Sequence, residues 1–299
     1  MIFKQQPLPV EGEGGRNPKS KKPSWLKVRI AGGPGYLSVR RRLDQYGLHT
    51  VCENAKCPNI GECWARGAAA FLILGRVCTR RCGFCATETG CPSPPDPHEP
   101  ARLAEAVRQM ALDHVVITSV TRDDLPDGGA SVWAATIYAV RQAVAHCEAL
   151  TPDFKGSEAS LHAVLDAKPD ILNHNIETVS RLYPQVRPQA VYDRSLQLLD
   201  RAKARGLITK SGLMLGMGET EGEIRQVLRD LRAVHVDILT LGQYLRPTPA
   251  HWPVARYVTP NKFATWKQQA LRMDFKAVEA GPLVRSSYRA GEQAALFLT

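Results

Sequence analysis

A chain of 299 residues with 44% hydrophobic content can bury one sizeable core, and one domain is the default reading. No apolar run reaches the roughly eighteen residues of a membrane span, and no charged, apolar, small-residue signal opens the chain. Membrane and secretory roles are therefore set aside, and the cytoplasm is the expected compartment.

The formal net charge of +10 is unevenly placed. Residues 1–50 carry ten Lys and Arg against Glu11, Glu13 and Asp44, so most of the excess lies in a leader. A basic arm binds nucleic acid, an acidic protein partner or nothing. Without aromatic interleaving or a zinc-finger pattern, no nucleic-acid role is expected. Residues 1 to about 24 are rich in Pro, Gly and Lys without apolar periodicity and read as a mobile leader.

Next comes "CENAKCPNIGECW", which places Cys52, Cys57 and Cys63 at spacings of five and six, with Pro58 and Gly61 breaking any long helix. The apolar run "AFLILG" (70–75) leads into "RVCTRRCGFCAT", with Cys78, Cys82 and Cys85 at spacings of four and three. Seven of the eight cysteines fall between Cys52 and Cys91, which suits metal ligation in a reducing compartment rather than a disulfide scaffold.

Five more strand-like runs follow: "HVVITSV" (114–120), "EALTPDF" (148–154), "DILNHNI" (170–176), "ITKSGLMLG" (208–216) and "DILTLGQYL" (237–245). Between them, 99–113, 130–147, 192–206 and 220–234 have apolar residues three and four apart and are expected as helices. This alternation implies right-handed βαβ crossovers and a parallel sheet, as a partial barrel or an open doubly wound sheet. In either, the loops after the strands carry the chemistry and would line one mouth. Those loops hold the cysteine loop, "TRDDLPDGG" (121–129), "NHNIET" (173–178), "GMGET" (216–220) and "QYLRPT" (243–248).

Three thiolates can ligate three irons of a four-iron cluster and leave the fourth open to chelate a small molecule. A three-cysteine zinc site completed by a distant histidine is the alternative. A second triplet argues for two metal centres, because six thiolates would over-ligate one cubane. No HExxH pairing points to zinc hydrolysis. "GLMLGMGETEGE" lacks a P-loop GK[ST] and reads first as a strand-to-helix turn. In "TRDDLPDGGA" the Gly128–Gly129 amides could meet carboxylates, or the segment could cap a helix. Cys147 is expected as a small core residue on an amphipathic helix. No role is found for Cys91.

The Cx3Cx2C loop resembles the radical S-adenosylmethionine superfamily. Together "CENAKCPNIGECW", "CTRRCGFC", "TSVTRDDLPDGG", "NHNIETV", "LMLGMGET", "GQYLRPT" and "GPLVRSSY" resemble the lipoyl synthase family from about Val51 to Ala290. The resemblance implies an α/β fold, a partial (β/α)6 barrel of the radical S-adenosylmethionine type with N-terminal and C-terminal extensions. It divides the chain into a basic leader and N-terminal extension (1–50), an auxiliary cluster segment (51–69), the partial barrel (70–280) and a C-terminal RSSY segment (281–299).

It also implies two 4Fe-4S clusters and S-adenosylmethionine as co-substrate. Cys78, Cys82 and Cys85 would hold the cluster that binds S-adenosylmethionine. Cys52, Cys57 and Cys63, with a serine of RSSY, would hold an auxiliary cluster that supplies sulfur. Ser287 is assigned over Ser286, with Arg285 holding the serine in place. An alkoxide binds iron less securely than a thiolate, which suits a cluster meant to open. Arg122, Asp123, Asn173, Asn175 and Glu177 are assigned to S-adenosylmethionine, and the "GMGET" segment to its adenosine.

The implied reaction inserts two sulfur atoms at C6 and C8 of an octanoyl chain amide-linked to lysine of a lipoyl carrier domain. The carriers implied are those of 2-oxoacid dehydrogenase complexes and the glycine cleavage H protein. A low-potential electron donor such as ferredoxin or flavodoxin, and an iron–sulfur carrier, are the further partners. The runner-up readings are another two-cluster radical enzyme that dehydrogenates or methylthiolates, and a non-catalytic iron–sulfur or zinc module.

Overall fold

The computed structural model describes residues 22–28 and 32–298. The basic leader expected over 1 to about 24 therefore lies almost wholly outside the described residues.

Among the described residues ten strands occur in chain order. They are β1 (His49–Thr50), β2 (Ala70–Ile73), β3 (Val77–Cys78), β4 (Glu88–Thr89), β5 (His114–Ser119), β6 (His146–Leu150), β7 (Ile171–Asn173), β8 (Ile208–Leu215), β9 (Ile238–Gln243) and β10 (Ala277–Gly281). Eight form one sheet in the order β1-β2-β5-β6-β7-β8-β9-β10. β1 runs antiparallel to β2 and every later pair is parallel. The small β3–β4 pair stands apart and carries Cys78.

Helices Glu99–Gln109, Ala130–Arg141, Glu158–Asp166, Tyr192–Ala204, Glu221–Ala233 and Pro260–Leu271 connect the seven parallel strands. Among the described residues no pairing joins β10 back to β1 or β2, so the expected partial barrel is open along one side.

Local chemistry accounts for the boundaries. Thr220 and Glu223 form a reciprocal capping box that starts the helix after β8. The Thr259 hydroxyl caps the helix opened by Pro260. Pro58 sits between two short helices, Val51–Asn54 and Ile60–Ala65, as its ring and missing N–H require.

The expected strands are all present, but three readings are corrected. The segment 148–154 begins earlier, at His146, because the helix expected over 130–147 stops at Arg141. Cys147 is thus fully buried on β6 rather than on a helix. The sixth repeat is followed by a helix and a seventh parallel strand, β10, whose short "AVEAG" carries too little pattern to stand out.

The barrel floor is filled by the chain's own end. Ala294, Phe297 and Leu298 pack on Ile171, Ile208, Ile238 and Ala277, the first residues of β7 to β10. Among the described residues no helix is long and apolar enough to cross a membrane.

Candidate functional site

The second cysteine triplet sits on a loop tied down from several sides. The Cys78 sulfur accepts from the backbone N–H groups of Arg80 (3.4 Å) and Thr121 (3.3 Å). Arg80 is buried and fixes the loop to the strand ends. It donates to both Asp123 oxygens (2.7 and 3.0 Å) and reaches Asp153 at 2.6 Å. Burial acts to raise the Asp153 carboxyl, but Arg80 holds it down at about 2.

Gly83 N–H donates to the Val186 carbonyl at 2.7 Å, and the Trp252 N–H donates to the Gly83 carbonyl at 2.8 Å. His251 Nε2 lies 3.0 Å from the Cys85 carbonyl. The loops after β5, β6, β7 and β9 therefore all grip this one segment.

All six triplet cysteines are free thiols. Burial pushes Cys52 up to about 11, Cys63 to about 12 and Cys82 to about 11, with neighbouring cysteines of the same triplet adding to each rise. Cys57 and Cys85 are raised by burial as well. Within each triplet the thiols thus feel one another's charge. Three arginines act on them: Arg285 on Cys57, Arg66 on Cys63 and Arg187 on Cys82.

The first triplet is joined to the C-terminal segment. Asn59 Nδ2 donates to the Leu283 carbonyl at 2.7 Å, and Tyr288 OH donates to Glu62 at 3.2 Å. Arg285 is drawn down by its burial while Cys57 and Glu177 act the other way, which places it between the first triplet and the end of β7. A β-carbon on Gly242 would lie 2.1 Å from the Val284 carbonyl oxygen and 3.2 Å from the Arg285 guanidinium. Only a glycine lets β9 and this segment pass so closely.

The residues assigned to a small ligand divide by what already holds them. The Arg122 guanidinium is buried and occupied, with Nε and Nη2 on Asp124 and Nη1 on the Leu74 carbonyl. Asp123 is gripped by Arg80 and by the Thr79 hydroxyl at its own N–H. The Gly128 and Gly129 amides serve the Leu125 carbonyl and the Asp127 carboxylate, so the segment is a helix cap rather than an anion nest.

Asn173, Asn175 and Glu177 come together at the end of β7. Asn175 Nδ2 donates to Glu177 (3.1 Å) and Ser286 (3.2 Å). Among the described residues the Oδ1 atoms of Asn173 and Asn175 are buried without a partner, as are Arg187 Nε and Thr178 Oγ1. Glu177 takes a left-handed φ of 66° and its carboxyl is raised by burial, against Arg187. Unsatisfied buried polar atoms gathered at strand ends are what a ligand-binding mouth leaves when described alone.

The glycine turn after β8 is closed from within. Glu219 accepts the N–H groups of Gly216 (2.8 Å) and Met217 (2.9 Å). Sequence reasoning passed over Arg80, Arg187 and Gln189, which stand outside any apolar repeat, and Arg194, on the polar face of the helix expected over 192–206. Arg187 donates to the carbonyls of Asn175 (3.2 Å) and Ile176 (3.1 Å) and to Tyr183 OH (2.9 Å), shaping the bend that carries Asn175 and Glu177. The only signal was a charged residue in the polar stretch that follows a strand C-terminus.

The Radical SAM superfamily matches residues 72–231, and the N-terminal domain of lipoyl synthase of the Radical SAM family matches residues 10–57. The lipoyl synthase of Rubrobacter xylanophilus is 58% identical over 290 residues, spanning 96% of this chain and 89% of the relative. The chain belongs to the lipoyl synthase family. Family members from Chlorobaculum tepidum and Chloroflexus aggregans are 54% and 51% identical, over 90% and 95% of this chain and 94% and 96% of their own lengths.

Solved structures share the fold at low identity. Streptococcus suis SuiB bound to S-adenosylmethionine aligns with a TM-score of 0.57 at 12% identity, over 74% of this chain and 54% of that one. Methylornithine synthase (PylB) aligns at 0.52 and 12% identity, over 82% and 76%. The fold here is therefore the open radical S-adenosylmethionine barrel.

Proposed function

We propose that this chain inserts two sulfur atoms at C6 and C8 of an octanoyl group amide-linked to lysine of a lipoyl carrier domain. One observation carries the reading. The RSSY segment links the first triplet to the end of β7, whose Glu177 in turn acts on Cys82 and Cys85 of the second: Cys57 and Glu177 both act on Arg285, Ser286 meets Asn175, and Tyr288 meets Glu62. A chemistry that takes sulfur from one metal centre and uses a radical made at another needs both within reach of one substrate.

The donor sets fit two clusters. Cys78, Cys82 and Cys85 would hold the first and Cys52, Cys57 and Cys63 the second. Among the described residues no three His, Cys, Asp or Glu converge as ligands of a single metal ion do. A four-iron cluster takes one thiolate per iron, so it spreads its ligands. Ser286 is engaged by Asn175, which favours half-buried Ser287 as the oxygen ligand of the second cluster. When bound, the clusters and S-adenosylmethionine supply the hydrogen-abstracting radical and the sulfur.

The chain's own residues supply placement. Arg80, Gln189 and His251 hold the cysteine loop against the strand ends. Arg187 and Arg285, themselves desolvated by burial, would offset thiolate charge at Cys82 and Cys57. Asn173, Asn175 and Glu177 offer hydrogen-bonding groups to S-adenosylmethionine, and Arg80 and Arg122 hold Asp123 and Asp124 at the rim. Burial at the strand ends excludes the solvent that would quench a radical.

The division at 51–69, 70–280 and 281–299 follows these roles. Carrier domains of 2-oxoacid dehydrogenases or the glycine cleavage H protein would be substrates. A low-potential donor such as ferredoxin or flavodoxin and an iron–sulfur carrier would be partners in the cytoplasm. The test is anaerobic iron and sulfide analysis followed by mass spectrometry of an octanoyl-lysine peptide after one turnover. A product lacking sulfur, from protein with both clusters loaded, would sink the reading.

A further inference from the structure

Above the apolar floor of the barrel lies a layer of fully buried polar side chains from three adjacent strands. Glu148 on β6, Asn173 on β7 and Lys210 on β8 have no exposed surface. Glu148 Oε1 accepts from Asn173 Nδ2 at 2.7 Å, and Glu148 Oε2 accepts from Lys210 Nζ at 3.1 Å. His114 Nε2 stands 3.7 Å from the same Oε2.

Register fixes the direction of this contact. Asn173 is the strand partner of Lys210 and Leu150, while Glu148 is the partner of Ile171, one inward-facing position nearer the floor. The Asn173 amide therefore reaches down with its nitrogen, and its oxygen is turned the other way, toward the strand ends. That oxygen is buried and has no partner among the described residues.

We propose that Glu148, paired with Lys210, is a positioning residue that locks the Asn173 side chain as a hydrogen-bond acceptor, so that the bound small molecule meets it with an N–H or O–H donor. A carboxylate can only accept, so the amide must present its NH2 to Glu148. The apolar plug of Ala294, Phe297 and Leu298 below excludes water that could compete for these groups. Glu148 also stays ionised, since burial, the largest single influence, would protonate it but Lys210, His114 and Asn173 together outweigh it. The inference rests on the radical S-adenosylmethionine reading for its ligands. The donor can come from the nucleoside of the co-substrate or from the amide N–H of the octanoyl-lysine.

Glu148→Gln tests the lock. The Lys210 ammonium can only donate, so it takes the glutamine oxygen, and the glutamine NH2 then faces Asn173. The amide must invert and show its own NH2 to the ligand, donor against donor. Calorimetric titration with S-adenosylhomocysteine and with an octanoyl-lysine peptide separates the two sources. Affinity should fall about ten- to a hundredfold for the probe whose donor meets Asn173 and stay unchanged for the other.

In Glu148→Gln with Lys210→Met nothing forces the inverted amide, so binding should return to near the wild-type value, a rescue that a merely structural role would not show. Asn173→Ala removes the acceptor and should weaken the same probe whether or not the glutamine variant folds. Unchanged binding of both probes by Asn173→Ala, or no rescue in a folded double variant, overturns the inference. Either result leaves sulfur insertion by the wild-type protein, measured separately, untouched.

Discussion

Asn175 Nδ2 donates to Ser286 Oγ at 3.2 Å, joining the end of β7 to the C-terminal segment across 111 residues of sequence. The bond engages one of the two RSSY serines, which supports the proposal of Ser287 as the iron ligand. Ser287→Ala is expected to lower thiolated product at least as much as the about 10–100-fold typical of losing a group that only orients a metal ligand. Ser286→Ala removes one neutral hydrogen bond, worth about 1 kcal/mol, and should keep most activity. Parallel iron counts and single-turnover product yields check the pair, and equal defects would contradict the assignment.

The two triplets should fail differently. Cys82→Ala should abolish both 5′-deoxyadenosine and thiolated product. Cys57→Ala should still form 5′-deoxyadenosine but transfer no sulfur. Iron should fall from about eight to about four atoms per chain in each, since each triplet serves its own cluster. Quantifying both products in one assay decides it: a Cys57→Ala protein that keeps its first cluster yet makes no 5′-deoxyadenosine would disprove the division.

Thiols raised by burial to about 11 at Cys52 and Cys82 and about 12 at Cys63 are protonated at neutral pH, so loading the clusters must release protons. Apparent cluster affinity should therefore rise with pH, and proton release should be measurable in an unbuffered reconstitution. The cluster-free protein has the opposite trend. Its unfolded thiols ionise near the ordinary value of 9.0 while the folded ones stay neutral, so stability should fall as pH climbs above 9.0. Thermal melts of cluster-free protein between pH 7 and 10 report this, and a flat profile would count against buried thiols.

Gly242→Ala sets a methyl against the Val284 carbonyl at 2.1 Å, a distance no real contact tolerates. The C-terminal segment must shift, carrying Arg285 and the serines with it. The expected phenotype is selective loss of about half the iron, with the first cluster's spectrum retained. Full iron loading with normal turnover would show that the segment does not need this close approach.

Arg80→Met removes the guanidinium shared by Asp123 and Asp153 and leaves Asp153, with only 1% side-chain exposure, to Arg194 at 3.2 Å. Breaking a buried pair from one side costs about 3–5 kcal/mol. The cysteine loop should loosen and the first cluster be lost before the second. Electron paramagnetic resonance of the reduced variant distinguishes this from general unfolding, in which both signals vanish together.

Much of the site was legible in the sequence because thiolate spacing is a local property. Cys78, Cys82 and Cys85 lie at the end of β3 and in the loop after it, and Cys52 and Cys63 lie on two short helices with Cys57 and Pro58 in the link between them, so chain order alone puts them near one another. The alternation of apolar runs and amphipathic stretches likewise located six of the seven parallel strands. β10 escaped because five residues, three of them Ala or Gly, carry almost no period. Cys147 was placed on the wrong element because the helix pattern over 130–141 runs on without a breaker, and only pairing with β5 shows where β6 begins.

Tertiary structure alone decided which polar residues are spent on architecture and which remain open. Arg122 and Asn173 look equally suited to a ligand in the sequence, yet Arg122 has all three of its nitrogens engaged while Asn173 keeps a buried oxygen unpartnered. Arg187, Glu148 and Lys210 carried no motif, and their positions follow from strand register and from loops meeting at one mouth. The physical reason is that a hydrogen bond between residues 62 or 111 apart depends on how strands pair, which local periodicity does not encode.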